Sequence, residues 1–126
     1  MISTNLRPIL SLLLGVALLL AGAGLLNTLL PLRASAEDFG TLAIGAIGSS
    51  YYMGFIGGCV LGPYVIQRAG HIRAFAALIA VAACMALLHA LMPAPLAWAL
   101  IRLVTGFCLA GFYLVIESWL NDRSSN

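Results

Sequence analysis

Apolar positions run almost unbroken along this chain, and its few charges fall between the runs. The charged residues are Arg7, Arg33, Glu37, Asp38, Arg68, Arg73, Arg102, Glu117, Asp122 and Arg123. Between Arg7 and Arg33 lie 25 uncharged residues, and between Asp38 and Arg68 lie 29. Between Arg73 and Arg102 lie 28, broken by Pro93 and Pro95. A helix crosses the hydrocarbon core in ~20 residues. The first two runs each predict one span, over 9–31 and 41–66. The third predicts a span over 74–92 and the start of another over 96–119, which carries Arg102. Lipid offers no water to unpaired backbone groups, so runs of this length are read as helices. The expected fold class is an all-α membrane protein with four transmembrane helices.

The fourth span needs an energetic check because of its charge. A central Arg costs about 2.5–3.5 kcal/mol on the insertion scale. Residues 97–116 hold ten Leu, Ile, Val or Phe side chains. Each is favourable by about 0.3–0.6 kcal/mol, and together they offset the Arg.

Composition narrows the class. The 126 residues are 63% hydrophobic and only 8% charged. A soluble domain averages about 25% charged residues, so this chain could not cover a water-facing surface. A net charge of +2 with no basic cluster gives no phosphate-binding footprint, which excludes a nucleic-acid partner. The partner it demands is the lipid bilayer. Arg7, Arg68, Arg73 and Arg123 lie on one side of the predicted spans, against Arg33 beside Glu37 and Asp38 on the other. That asymmetry predicts cytoplasmic N- and C-termini. Arg7, the first apolar run and Ala34-Ser35-Ala36 imitate a secretory signal with its cleavage site. The run is longer than the usual ~7–15-residue apolar region of a signal, so it reads as a span.

Catalytic chemistry is not indicated. Cys59, Cys84 and Cys108 all fall inside spans and read as small buried apolar residues. His71 and His89 sit at opposite ends of the third helix, with no ligand spacing around them. No cofactor, metal site or nucleophile motif is expected.

The spans carry distinct polar features. Gly54, Gly58 and Gly62 recur every four residues in the second span, a stripe suited to close helix packing. Ser49, Ser50, Tyr51 and Tyr52 lie about ten residues into that span, near mid-membrane. At 100° per residue, Arg102, Gly106, Leu109, Tyr113 and Glu117 share one sector of the fourth span. Arg102 and Glu117 lie 15 residues apart, about 22 Å along a helix, so they cannot pair with each other. An intramembrane charge is a functional-site hypothesis by default, which points to Arg102. Glu117 is expected to pair with Arg68 or Arg73 at the cytoplasmic surface. Asn27 is the polar group of note in the first span, whereas the third is apolar all round. Helices 1, 2 and 4 are therefore expected to line a cavity, with helix 3 peripheral.

Two motifs carry a family resemblance. The segment Gly62-Pro63-Tyr64-Val65-Ile66-Gln67-Arg68-Ala69-Gly70-His71-Ile72-Arg73 resembles the signature G-x-x-x-D-R-x-G-[RK]-[RK] between helices 2 and 3 of the major facilitator superfamily. Arg68 and Gly70 match in register. The first Gly is displaced to Gly62, the acid is Gln67, and the basic pair is replaced by His71 and Ile72 before Arg73. Arg102-Leu103-Val104-Thr105-Gly106 resembles the R-x-x-x-G motif of the family's fourth helix, with Cys108 where a further glycine is expected. Glu117-Ser118-Trp119-Leu120-Asn121 is similar to the end of helix 4 in a bacterial branch of the family.

The resemblance implies secondary, proton-coupled transport of a small solute across a bacterial inner membrane. It implies that Arg102 serves coupling or substrate charge, and that Gln67, Arg68, Gly70, Arg73 and Glu117 form a cytoplasmic gating region. Tyr113, Tyr51, Ser50 and Asn27 would join Arg102 on the cavity wall, and Gly54, Gly58, Gly62 and Gly106 would pack helices. Gln67 cannot carry the charge of the family's acid. The family has twelve helices in two halves, each of two inverted three-helix repeats. Residues 1–126 would then be a partial N-terminal transporter domain, a fragment whose partners include the missing C-terminal helices or another membrane subunit. An alternative is a self-standing four-helix oligomer, either a small exporter or a non-transporting assembly partner. Residues 9–31 contain no acid, which counts against an exporter of the small multidrug-resistance kind.

Overall fold

The computed structural model describes the backbone of residues 2–125, and the side chains of residue 7 and residues 10–121. It consists of four helices: α1 (Ile2–Ala36), α2 (Thr41–Ala69), α3 (His71–Leu91) and α4 (Pro95–Ser125). All four are long and apolar enough to cross a membrane. The chain is an all-α membrane protein, as the charge-free runs imply. The helices overrun the apolar spans at several ends, because a helix need not stop where the hydrocarbon does. The Arg123 charge, part of the asymmetry that orients the chain, lies outside the described side chains.

Two compact units divide the chain, one up to Asp38 and one from Phe39. The first is α1. Its Leu10, Leu14, Leu18, Leu25 and Leu32 are exposed, as suits a helix immersed in lipid or packed by other helices. Thr28 returns its hydroxyl to the Gly24 carbonyl at 3.0 Å. The helix ends with Glu37 N–H on the Arg33 carbonyl and Asp38 N–H on that of Ser35. Asp38 itself takes a left-handed conformation (φ 60°). The Arg33 and Glu37 side chains face each other one turn apart at 3.6 Å, an exposed pair of little energetic weight.

The second unit is built around α4, whose apolar span is 61% buried against 17% for those of α2 and α3. The one-residue link at Gly70 reverses the chain between α2 and α3. Gly70 lies at φ 87°, ψ 164°, a conformation open in practice only to glycine. Its N–H caps the Ile66 carbonyl and its carbonyl accepts from Ala74 N–H, so it closes one helix and opens the next. Pro63 interrupts the hydrogen-bond ladder of α2, since it cannot donate to the Cys59 carbonyl. Proline at the first position of α4 starts that helix without loss, its missing N–H being one that has no helical partner there.

α2 and α4 run parallel. Gly54 meets the backbone of Leu103, Gly58 that of Phe107, and Gly62 approaches Gly111, the same four-residue step on both helices. From the α4 side, Gly106 lies against the Tyr51 carbonyl and the Phe55 nitrogen. α3 and α4 form an antiparallel hairpin, with Leu78 packed on Gly111 and Phe75 on Phe112 at 5.1 Å between ring centroids. Ala74, Leu78, Cys108 and Val115 form the core of this packing, with Val65 and Ile66 of α2 against it. α3 is therefore more than a peripheral helix. Cys59 and Cys84 are exposed, and only Cys108 is buried. The expectation of three buried thiols is corrected: an apolar thiol facing lipid loses nothing, so membrane insertion does not force it inward.

Candidate functional site

Arg102 lies seven residues into α4, about 10 Å along the helix from the α3–α4 turn. It is buried at 6% exposure, and its guanidinium carbon stands 4.3 Å above the centre of the Tyr51 ring of α2. A guanidinium over an aromatic face is stabilised by the ring quadrupole, by up to ~2 kcal/mol where water is excluded. Tyr51 is brought there by the glycine contacts: its own carbonyl rests on Gly106, one turn below Arg102. A Cβ at Gly106 would collide with that carbonyl, so the small residue and the cation–π pair depend on the same close approach.

Aromatic rings continue from this point. Tyr51 meets Tyr52 edge-on at 5.4 Å and Phe55 at 6.2 Å, and Phe55 meets Tyr113 of α4 at 6.0 Å. Tyr113 meets Phe112, which packs on Phe75 of α3. Much of the face carrying Arg102, Gly106 and Tyr113 is thus packed against α2. Ser50 turns its hydroxyl back to the Ala46 carbonyl at 2.8 Å. Asn27 belongs to α1 in the other unit. The structure therefore brings together Arg102, Tyr51 and Tyr113, with Ser50 one residue from the cluster.

At the other end, Gln67, Arg68 and Arg73 are exposed around Gly70. Glu117 is also exposed, and among the described residues no ion pair joins it to Arg68 or Arg73. The expected surface pairing is corrected: with both partners facing outward, nothing holds the long side chains in one geometry. The link between α3 and α4 here is instead His71, whose Nε2 lies 2.8 Å from the Ser118 hydroxyl. Both are part-buried, so this bond is shielded from competing water.

The opposite end has its own fastening, which sequence reasoning missed. Trp98 is fully buried. Its indole Nε1 donates to the His89 carbonyl at 3.0 Å. Its ring meets the His89 imidazole at 5.6 Å and Phe39 at 5.3 Å, both edge-on. The signal was available, because His89 and Trp98 are almost equidistant from the Pro93–Pro95 turn and so face each other in a hairpin. His71 and Ser118 obey the same rule at the far end. Among the described residues no cluster could hold a metal ion.

Comparison with known proteins gives a consistent likeness. The chain is 38% identical over 120 residues to the uncharacterized MFS-type transporter YcaD of Escherichia coli O45:K1 (strain S88), and equally to that of Escherichia coli O81 (strain ED1a). The match covers 94% of this chain and 31% of each relative. The chain thus spans about a third of the length of the relatives it matches. No family model matches the chain, and no solved structure matches it significantly. Along nearly its whole length, the chain is similar to part of an MFS-type transporter, the kind of protein that the motifs at Arg68 and Arg102 imply.

Proposed function

We propose that this chain supplies the first four helices of a secondary active transporter that moves a small solute across a bacterial inner membrane, driven by protons. The observation that carries the reading is Arg102: a charge buried in an apolar bundle, held over Tyr51 by a glycine-mediated helix contact. A cation kept at that depth is costly unless it is used. Arg102 presents the guanidinium to a solute, and Tyr51, Tyr113 and Ser50 line the wall; Asn27 is the polar group that α1 offers. Gln67, Arg68, Gly70, Arg73 and Glu117 form the cytoplasmic gating region, with both termini on that side. The remaining wall comes from further helices or another subunit. The likeness to MFS-type transporters over 94% of the chain supports the same reading.

The test is uptake into vesicles carrying the native protein, against a panel of lactate, glucose and ethidium, with and without an imposed pH gradient. Arg102→Ala is expected to reduce uptake at least tenfold, with Arg102→Lys intermediate because it keeps charge but not the planar stacking. Uptake unchanged in Arg102→Ala would sink the assignment. A native species near 13.2 kDa that transports as an oligomer would move the reading to a self-standing four-helix exporter.

A further inference from the structure

His89 is a buried polar side chain that the transport reading does not use. It is 3% exposed near the end of α3, and neither ring nitrogen makes a hydrogen bond. The Met85 carbonyl, one turn back in the same helix, is a backbone acceptor beside the ring. Buried polar groups are rarely left so, because an unsatisfied donor or acceptor costs about 1–3 kcal/mol. An apolar residue would pack against Trp98 at no such cost. An orphaned imidazole at this depth therefore asks for a purpose beyond packing.

Proton coupling supplies one by elimination. Arg102 cannot release its proton in a protein. Residues 39–116 contain no Asp or Glu, and residues 9–31 contain none either. Tyrosine and cysteine ordinarily titrate far above neutrality, whereas imidazole titrates within the physiological range. On the wall this chain supplies, His89 is the membrane-buried group suited to bind and release a proton. His71, the other histidine, is at the opposite end of α3, bonded to Ser118.

We propose that His89 carries the coupled proton on this wall, and that Arg102 couples its protonation to an anionic group on the solute. The inference rests on the proton-coupled reading above. Among the described residues of α2, α3 and α4, Arg102 is the charged group nearest in the packing, one turn along α4 from the Trp98 ring that meets the His89 imidazole. The two would repel as paired cations. An anion reaching the guanidinium removes that repulsion, and the imidazole nitrogen then takes a proton from water on the side of the α3–α4 turn. The protonated ring donates to the Met85 carbonyl. When the anion leaves, the proton returns to water. One proton moves with one negative charge, no bond to carbon changes, and no oxidant or reductant is needed.

Trp98 provides a readout independent of the solute. Protonated imidazole quenches a neighbouring indole, and the chain has two tryptophans. In Trp119→Phe protein reconstituted in vesicles, Trp98 alone reports. Lowering the pH from about 8 to about 4 on the side of the α3–α4 turn is expected to quench emission in a single-proton step. His89→Gln and His89→Phe should both lose the step, the second keeping a ring against Trp98 and so the fold. In the same vesicles, trapped pyranine should show proton entry when lactate is added, lost in both variants. Absence of the step, its persistence in the variants, or variants that still admit protons with lactate would overturn the role of His89. If the unchanged protein takes up lactate, glucose or ethidium with no proton entry and no response to the pH gradient, the proton-coupled reading itself falls. Proton entry with glucose or ethidium but not with lactate would keep that reading and overturn the anion-linked mechanism.

Discussion

Gly58 offers the sharpest test of the helix pairing. A Cβ built there would lie 2.5 Å from the Phe107 carbonyl oxygen, 2.7 Å from the Ala110 Cβ and 3.1 Å from the Phe107 Cα. Ordinary contact begins near 3.4 Å, so α2 and α4 would have to part by ~1 Å at this level. Two of these three atoms belong to backbone and cannot turn aside. A gap of about 0.5–1 Å forfeits a quarter to a half of each van der Waals contact, worth about 0.1–0.2 kcal/mol per atom pair. Over a few tens of pairs along the interface, the loss is on the order of 1–3 kcal/mol, in the range of measured overpacking. Gly58→Ala should therefore destabilise the chain by that amount. The internal control is Gly48→Ala, where a Cβ meets nothing within 4 Å. There the substitution should be neutral or slightly stabilising, since alanine is the better helix former. Both are measured by reversible unfolding in mixed detergent–SDS micelles, following helicity. Equal stabilities for the two variants would refute the parallel α2–α4 contact.

Other outcomes follow from the same geometry. Gly70→Ala should lower stability by about 1–3 kcal/mol in the same unfolding assay, because alanine must adopt a positive φ with extended ψ; an unchanged midpoint would exclude that backbone. A double-mutant cycle on His71→Ala and Ser118→Ala should give a coupling of about 0.5–1.5 kcal/mol, and additivity of the two would remove the bond between them. Trp98→Phe should cost about 1–3 kcal/mol, since it leaves the His89 carbonyl without its indole donor, and a neutral result would mean that the α3–α4 end is not fastened there. Tyr51→Leu should reduce stability by more than Tyr52→Leu, because the Tyr51 ring lies beneath Arg102 while Tyr52 is 68% exposed; the reverse order would argue against the cation–π contact.

The helices were legible because lipid imposes a length on each apolar run, and ten charges in 126 residues mark the gaps. The glycine stripe of α2 was legible as a packing face, but its partner was not. Nothing local in Gly54, Gly58 and Gly62 says that Leu103, Phe107 and Gly111 lie opposite, since helix–helix register is a property of two surfaces together. Helical spacing marks the polar sector of α4 as a cavity wall, and the structure packs much of it against α2. A 100° helical wheel shows which residues share a face and is silent on what covers it. Glu117 illustrates a different limit. Proximity of Arg68 and Arg73 in topology suggested an ion pair, whereas a partly shielded hydrogen bond between His71 and Ser118 is what joins the helices there.

The contacts of α4 also constrain how this chain can move. On the α2 side they are backbone against backbone at Gly54, Gly58 and Gly106, where no rotamer change can absorb a displacement. On the α3 side the close approach at Gly111 is to the Leu78 side chain, which can change rotamer, and hydrogen bonds fasten the two ends, at Trp98 and at His71. Sliding α2 past α4 would drive side chains flanking the glycines into the opposing backbone, whereas parting α3 from α4 breaks the hydrogen bonds at Trp98 and His71 and repacks side chains. α2 and α4 therefore move as one body that keeps Arg102 over Tyr51, while the softer boundary lies between that pair and α3. Gly70, the single residue joining α2 to α3, is placed to absorb such a rotation. His89 sits on the softer boundary and Arg102 within the stiff pair, so displacement there changes the separation of the imidazole and the guanidinium without dismantling the glycine contact.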